Sequence, residues 1–336
     1  MEKIGVNVVV IGGGTGSFTI MSGLKKYVRD ITALVSMADD GGSTGQLRDE
    51  LGVLPTGDVR QCLVALSESP KVRDLFNYRF ESGSMTGHAF GNLFLAALEK
   101  MTGSFAEAVD LAGEVLRIDG RVVPTTLDSV ELVVQDGDKT IIGESNMSEY
   151  RFSADTKPQI SVRKKNGDGN VQVNPVAIQA IEEADLVVIA PGNLYRSIAP
   201  ALTVSGMGEA LQKTSARKIY VANLVNKPGQ TDDFAVHDLA GEIERVAGGE
   251  FLNYVVYNVH QPSKKMLEKY AAEGELPVEI DAAALKSAHY KAKGAELLAG
   301  EIWHNPNAKD PIASQRTLIR HDPDAVARAI MKIYFS

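Results

Sequence analysis

The chain has 336 residues, 44% of them hydrophobic and 23% charged, and it carries a formal net charge of -8. This acidic balance excludes a general attraction to polyanions, so nucleic acid and an anionic membrane are poor partners, and any phosphate must be held by local features. The single cysteine, Cys62, rules out an intramolecular disulfide. With no signal-type segment at the amino terminus and no apolar run of about 18 residues, we expect a cytoplasmic protein.

The amino-terminal third predicts a strand-helix-strand unit followed by helices. Val6–Ile11 is a β-rich apolar run that stops at glycines, which is typical of a strand buried on both faces of a parallel sheet. Apolar spacing predicts a helix over Ser17–Val28 and a second strand over Ile31–Met37. Four further helical patterns follow: Asp58–Leu66, Val72–Phe80, Ala89–Met101 and Phe105–Leu116.

The middle of the chain changes character. Ser129–Asn146 alternates on both sides of Asp136-Gly137-Asp138, which predicts an antiparallel hairpin. The polar stretch Lys164–Gly169 predicts a second exposed turn. We interpret residues 129–173 as an insertion on the edge of the main sheet.

Alternation of helices and strands then resumes in the order Pro175–Ala184, Leu186–Ala190, Gly206–Lys213, Lys218–Ala222, Asp233–Val246 and Asn253–Tyr257. Alternation of this kind predicts an α/β fold of the Rossmann-like, doubly wound type, with a mainly parallel sheet and helices on both faces. We expect a single domain over residues 1–336. The carboxyl-terminal tail adds helical segments and a short strand candidate near Ala299–Trp303.

The first chemically informative loop, Gly12-Gly13-Gly14-Thr15-Gly16, stands between a predicted strand and a predicted helix. Glycines let the backbone approach a phosphate closely, and the free amides at the start of a helix supply donors and the positive end of a dipole. Ser17 stands where the dinucleotide fingerprint has glycine or alanine, so a plain tight turn remains an alternative.

The second loop, Asp39-Asp40-Gly41-Gly42-Ser43-Thr44, follows the second predicted strand. Its carboxylates suit ribose hydroxyls or a metal ion that bridges phosphates, and the residue types leave both open. The Gly-Gly-Ser-Thr run predicts a further anion-binding turn, and an ordinary solvated turn is the alternative.

Two further loops open predicted helices. Thr56 or Asp58 suits an N-cap. Arg60 in a first helical turn opposes the helix dipole and is better explained by a bound anion, with an ordinary surface arginine as the alternative. His88 and Asn92 are four residues apart, which predicts that they share one helix face and point to a cleft. A buried histidine bonded to the backbone is the alternative for His88.

The fifth loop, Pro191-Gly192-Asn193-Leu194, follows a predicted strand, and Asn223 follows the next one. Because open α/β sheets bind ligands beyond the carboxyl ends of their strands, we expect these loops to converge on one nucleotide-binding cleft. No Walker lysine motif and no Gly-x-Ser-x-Gly elbow occurs in the sequence, and Cys62 lies inside a helical pattern, so no catalytic nucleophile is predicted.

The loops and two later motifs occur in a characteristic order: Gly12–Gly16, Ala38–Arg48, Pro55–Arg60, Gly87–Leu93, Pro191–Ile198, Pro228–Thr231 and Ile319–Asp322. In this order they closely resemble the YvcK-type gluconeogenesis factors. That group is a branch of the CofD-like family, which includes the 2-phospho-L-lactate transferases of deazaflavin biosynthesis. The sequence departs from the family pattern at Ala190, Asn193 and Arg196, and at Asn226-Lys227 before the Pro-Gly turn.

The resemblance implies a Rossmann-like fold that binds UDP-sugars such as UDP-N-acetylglucosamine, in a protein that tunes carbon flow into cell-wall precursors and cell shape. By motif position, Thr15 looks like a phosphate-loop contact, and Tyr270 and Arg320 look like contacts to the sugar nucleotide. The implied protein partner is the aminotransferase that forms glucosamine 6-phosphate. The oligomeric state is not determined, and a homo-oligomer is one alternative.

Two other functions remain as alternatives. A transferase that moves a phosphate-linked lactyl group with a divalent ion such as magnesium is the first, because Asp58 lies where the transferase branch also carries an acidic residue. An NAD-dependent dehydrogenase is the second, although it accounts only for the first loop.

Overall fold

The computed structural model describes residues 3–153, 156–165, 167, 169–272, 274–300 and 320–336. The ten strands in this part of the chain are β1 (Ile4–Ile11), β2 (Val28–Val35), β3 (Arg121–Pro124), β4 (Val130–Asp136), β5 (Lys139–Ile142), β6 (Gln159–Lys164), β7 (Leu186–Ile189), β8 (Arg217–Val221), β9 (Tyr254–Asn258) and β10 (Lys291–Ala295).

The α-helices in the same ranges are α1 (Gly14–Leu24), α2 (Gly42–Leu51), α3 (Gly57–Leu66), α4 (Pro70–Asn77), α5 (Phe90–Thr102), α6 (Phe105–Leu116), α7 (Pro175–Glu182), α8 (Ala199–Leu202), α9 (Met207–Lys213), α10 (Val236–Ala247), α11 (Lys264–Ala272), α12 (Ala282–Ser287) and α13 (Pro323–Tyr334). A 3-10 turn covers Ser145–Met147, and a π-helical turn covers Leu194–Ile198 just before α8.

Seven parallel strands form the main sheet, in the order β10-β9-β8-β7-β1-β2-β3. The strand order reverses between β1 and β7, where Val8 pairs with Leu186 and Ile11 with Ile189. The central strands β1 and β7 are apolar because helices cover both faces of the sheet, and all four residues of β7 are buried. The prediction of a doubly wound, mainly parallel α/β fold is confirmed.

The predicted hairpin forms β4 and β5, and the structure adds β6 as a third strand in the order β5-β4-β6. These antiparallel strands make a small sheet of their own, separate from the main sheet, rather than extending the β3 edge. The buried Asp136 carboxylate fixes the chain that returns from β5, because it accepts hydrogen bonds from the Tyr150 hydroxyl and the Ser153 amide, both at 2.9 Å.

Some elements were not predicted. α2 begins with Gly-Ser-Thr-Gly, which has low helix propensity, and β3 is only four residues long. β10 reads Lys-Ala-Lys-Gly-Ala and lacks an apolar run because, as an edge strand, it pairs on one side only. Ala299 and Gly300 lie outside any strand, and the rest of the predicted strand near Ala299–Trp303 lies outside the described residues.

Candidate functional site

A cleft of about 230 Å³ opens at the point where the strand order reverses. Three separate turns at the carboxyl edge of the sheet line it, together with the segment before α13. The predicted site residues found in this lining are Thr15, Gly16, Pro191, Gly192, Asn193, Asn223 and Arg320. The structure therefore brings together the first loop, the fifth loop, the residue after β8 and the carboxyl-terminal arginine.

The first turn of α1 packs directly against the turn after β7. A Cβ atom on Gly16 would overlap the Pro191 carbonyl, so only glycine allows this close approach. Gly14 has a φ of +55°, which favours glycine, and Gly12 directly follows Ile11, the last residue of β1. No side chain caps the start of α1, and Thr15 and Gly16 of its first turn line the cleft, so the positive end of the helix dipole lies at the cleft.

Asn223 fixes the position of the Pro-Gly turn. Its side-chain oxygen accepts a hydrogen bond from the Gly192 amide at 3.2 Å, and its Nδ2 donates to the Gly192 carbonyl at 2.7 Å. Asn193 caps the π-helical turn by accepting from the Arg196 amide at 3.0 Å. Leu194 is 3% exposed, packs into the core and is not among the residues that line the cleft. These side chains hold the shape of the cleft.

The lining residues that were not predicted as site residues include three ionisable side chains: Lys227, Glu275 and His321. Lys227 adds a positive charge near Arg320, and its place before the Pro228-Gly229 turn was the signal that could have identified it. Burial lowers the pKa of His321 to about 4, although its hydrogen bond to the Ala222 carbonyl acts in the opposite direction. His321 is therefore neutral at pH 7 and adds no charge to the cleft.

An acidic cluster lies beside the first loop: Asp58 is against the loop, and Asp39 and Glu144 are close enough to Asp58 to affect its pKa. Burial, together with the neighbouring Asp39 and Glu144 carboxylates, raises the pKa of Asp58 to about 8. Burial also raises the pKa of Glu144 to about 7, against the opposing effect of Arg196, whose Nε donates to Glu144 at 2.6 Å. A Cβ atom on Gly13 would overlap the Asp58 carboxyl, so this group lies directly against the glycine loop.

The second loop leads into a helix. Gly41 is the N-cap residue of α2, and Gly42-Ser43-Thr44 form its first helical turn. Asp39 accepts from the Gly41 amide at 3.0 Å, and the Thr44 hydroxyl also donates to it. Asp40 accepts from the Glu144 amide at 3.1 Å and the Ser145 amide at 2.7 Å. Asp40 thus fastens this loop to the inserted small sheet.

Arg60, Asn92, Ser43 and His88 form one connected hydrogen-bond network. Arg60 Nε donates to Asn92 Oδ1 at 2.9 Å, and Asn92 Nδ2 donates to Ser43 Oγ at 3.2 Å. Ser43 Oγ lies 2.9 Å from His88 Nδ1. The prediction that His88 and Asn92 share a helix face is wrong, because α5 begins at Phe90 and His88 precedes it. The two side chains meet through Ser43 instead.

Tyr270 and Cys62 are both buried away from the cleft lining. The Tyr270 ring in α11 is 3% exposed and is not among the described side chains that line the cleft. Cys62 is buried in α3, and burial raises the pKa of its thiol, which matches a small core residue better than a nucleophile.

A divalent ion is implied by the transferase branch of the family, and Asp39, Asp58 and Glu144 are its nearest candidate ligands. Across the described ranges, no group of three or more His, Cys, Asp or Glu side chains is arranged to hold a metal ion. Desolvation by burial raises the pKa of all three carboxyls, so a cation would have to compete with protons for them. In the described ranges these residues do not form a ligand set for a resident metal.

The raised pKa of Asp58 predicts a stability that falls with pH. A carboxyl with a pKa of about 8 in the folded state and an ordinary value of 3.8 when solvated binds its proton preferentially when folded. Its contribution is full below pH 3.8 and is lost as the pH approaches 8. We expect Asp58→Asn to be no less stable than the unsubstituted protein at pH 5 and more stable at pH 8, measured by urea unfolding.

Asp49→Asn is the matched control, because Asp49 is exposed and the Lys165 ammonium lowers the pKa of its carboxyl. This substitution should leave the slope of stability against pH unchanged between pH 5 and 8. Parallel pH profiles for Asp58→Asn and the unsubstituted protein would contradict the assignment of a raised pKa to Asp58.

The open doubly wound sheet defines a Rossmann-like α/β protein. Its glycine-lined cleft lies where the strand order reverses, the usual place for a ligand site in such folds. The family model described as 2-phospho-L-lactate transferase CofD matches residues 8–298. The chain belongs to the CofD family, and its curated relatives within that family include gluconeogenesis factors.

The chain is 40% identical to a putative gluconeogenesis factor of Thermotoga maritima, with 98% of this chain and 99% of that protein covered. It is 36% identical to the gluconeogenesis factor of Bacillus subtilis, with 97% of both chains covered. A crystal structure of a Bacillus halodurans protein superposes with a TM-score of 0.86 at 34% identity, covering 98% of this chain and all of the other. Within the described residues, no helix has both the length and the apolar character needed to cross a bilayer.

Proposed function

We propose that this protein binds a sugar nucleotide of the UDP-N-acetylglucosamine class in the switch-point cleft. In this proposal it acts in the cytoplasm as a regulator of carbon flow into cell-wall precursors and of cell shape during gluconeogenic growth. One observation carries the proposal. The start of α1, the Pro191–Asn193 turn and Arg320 line the same cleft at the carboxyl edge of the sheet.

The chemistry of this lining suits a diphosphate. The first-turn amides of α1 present donors and the positive end of a helix dipole. Arg320 supplies a planar guanidinium that binds phosphate oxygens in pairs, and Lys227 adds a second charge. The whole chain has a net charge of -8, so an anion would be attracted by the two basic side chains of this lining, which outnumber the single Glu275 carboxyl, together with the amides of α1.

A regulator fits the names of the relatives, which are gluconeogenesis factors. As protein partner we propose the aminotransferase that forms glucosamine 6-phosphate, with ligand occupancy of the cleft controlling the contact. Co-purification of the two proteins with and without UDP-N-acetylglucosamine would test this part. An equal yield in both conditions would show that the ligand does not control binding between the two proteins.

Isothermal titration with UDP-N-acetylglucosamine, UDP, GDP and NAD, each with and without magnesium, tests the ligand. We expect saturable binding of the two uridine nucleotides, no need for magnesium, and no turnover in product analysis. NAD should bind at least tenfold more weakly. Binding of none of the uridine nucleotides, or a preference for NAD, would refute the proposed function.

Transfer of a phosphate-linked lactyl group is the second candidate. The match of residues 8–298 to the transferase family model favours it. Asp58 also lies directly against the glycine loop, where it would face a reacting phosphate. Three results in the same titration series would establish this candidate over the regulator: a preference for guanine nucleotides, a requirement for magnesium and formation of a phospholactyl product.

A further inference from the structure

A cavity of about 780 Å³ lies between the inserted small sheet and α10. One wall includes Phe152 and Pro158, which belong to the chain between β5 and β6, and the other is the face of α10 that carries His237 and Gly241. None of the residues that line this cavity also lines the switch-point cleft. We call it the α10 cavity. Its volume lies within the range of about 300 to 1,000 Å³ that is usual for small-molecule sites.

Aromatic rings and one closed ion pair form the deep part of the α10 cavity. The Tyr195 and Phe152 rings make an edge-to-face contact with centroids 4.8 Å apart, and Phe234 is a third lining ring. The buried Glu242 carboxylate accepts from the Tyr195 hydroxyl at 2.9 Å and from Arg245 Nε at 2.6 Å. Because Glu242 and Arg245 neutralise each other, this part of the cavity adds aromatic surface without net charge.

The rim of the α10 cavity is acidic. Its other side chains of fixed charge are three aspartates and one lysine, all of them exposed: Asp232, Asp233, Asp238 and Lys157. Three carboxylates against one ammonium leave an excess of two negative charges. In the described part of the chain the Asp233 carboxylate takes part in no hydrogen bond or ion pair, and its backbone φ of +59° is uncommon outside glycine. The rim therefore attracts a cation and repels a nucleotide.

The α10 cavity suits an organic cation better than a metal ion. Across the ranges that the structure describes, no group of three or more His, Cys, Asp or Glu side chains is arranged to hold a metal, and aromatic rings supply none of the oxygen ligands that hard cations need. The faces of such rings do bind ammonium groups and methylene chains. Gly241 leaves space for a chain of this kind against α10, because a Cβ atom there would meet nothing within 4 Å.

We propose that the α10 cavity binds an aliphatic polyamine, a flexible methylene chain that carries two or more ammonium groups. The rim carboxylates attract its charges, and its methylene groups are buried against Phe152 and Phe234. A lysine side chain of a partner protein has the same chemistry with a single charge, and the test separates these two sources. The ligand is a cation and its site shares no residue with the cleft, so this inference does not depend on the proposed function.

Isothermal titration with spermidine tests the site, and Gly241→Phe blocks it. We expect saturable binding of spermidine to the unsubstituted protein, about tenfold or more tighter than binding of N-acetyl-lysine amide, because only spermidine carries several charges. Gly241→Phe should lower the spermidine affinity about tenfold or more, whereas the matched control Gly241→Ala should leave it within about twofold. Absence of saturable binding, equal affinity for N-acetyl-lysine amide, or an equal affinity of the two Gly241 variants would overturn the proposal.

Two substitutions with opposite expected effects test the charge of the ligand. Asp233→Asn removes a rim carboxylate and keeps a residue type that tolerates positive φ, so we expect a spermidine affinity about threefold lower. Lys157→Met removes the opposing ammonium and should raise the affinity about threefold. Asp74→Asn, at an exposed position of α4 outside the cavity lining, is the matched control and should leave the affinity unchanged. An affinity that does not fall in Asp233→Asn, or does not rise in Lys157→Met, refutes a polyamine site even if Gly241→Phe fails to fold.

Discussion

Gly16→Ala is expected to destabilise the protein and abolish sugar-nucleotide binding together. The added Cβ would overlap the Pro191 carbonyl, which is backbone and has no rotamer by which to move away. Overpacking of this kind costs about 1 to 3 kcal/mol. Because the first turn of α1 and the Pro191 turn both line the cleft, separating them also removes the proposed diphosphate site. Urea unfolding and calorimetric titration measure the two effects.

Gly241→Ala is the matched control for this prediction. Gly241 lies inside α10, and a Cβ there would meet nothing within 4 Å. Alanine at such a position should stabilise the helix by about 0.5 to 1 kcal/mol and leave ligand affinity unchanged. If Gly16→Ala unfolds at the same urea concentration as Gly241→Ala, the close packing of α1 on the Pro191 turn is not a constraint on this fold.

Arg320→Ala is expected to weaken UDP-sugar binding by about 1.5 to 3 kcal/mol, the range for a hydrogen bond to a charged group. This corresponds to an affinity lower by a factor of about 10 to 150. The fold should remain, because Arg320 is a partly exposed side chain at the rim of the cleft. Arg320→Lys should recover only part of the loss, since an ammonium cannot bind two phosphate oxygens in parallel. Calorimetric titration gives both values.

Arg328→Ala controls for the loss of an arginine near the carboxyl terminus. Arg328 is 60% exposed in α13 and pairs with Asp324 on the helix surface, away from the cleft lining. Its removal should leave the dissociation constant unchanged within error and change stability by less than about 1 kcal/mol. An Arg320→Ala dissociation constant equal to that of Arg328→Ala would remove Arg320 from the binding site.

The parts of the site that the sequence predicted best are those in which local chain geometry alone decides the position. The glycine loop after β1 and the Pro-Gly turn after β7 follow apolar runs that can only be buried strands. Because parallel strands end at one edge, the approach of these turns follows from the order of elements. The structure places both in one cleft.

The parts that the sequence could not predict depend on which side chains meet across elements. Asp40 reads like a ligand-binding carboxylate, but it bonds to the Glu144 and Ser145 amides more than 100 residues away. Likewise, His88 lies outside α5 and still meets Asn92 through Ser43 of α2. Spacing along the chain carries no signal for such contacts, since each depends on the packing of separate helices.

The sequence by itself determined the alternation of strands and helices, the doubly wound class and the edge of the sheet at which the glycine loop and the Pro-Gly turn meet. These follow from hydrophobic periodicity and from the conformations open to glycine, both of which act over a few neighbouring residues. The tertiary structure alone decided which polar side chains face the cleft, which ones fasten loops, and where burial raises the pKa of Asp58. Those properties depend on desolvation and on partners distant in the chain, which exist only when the chain has folded.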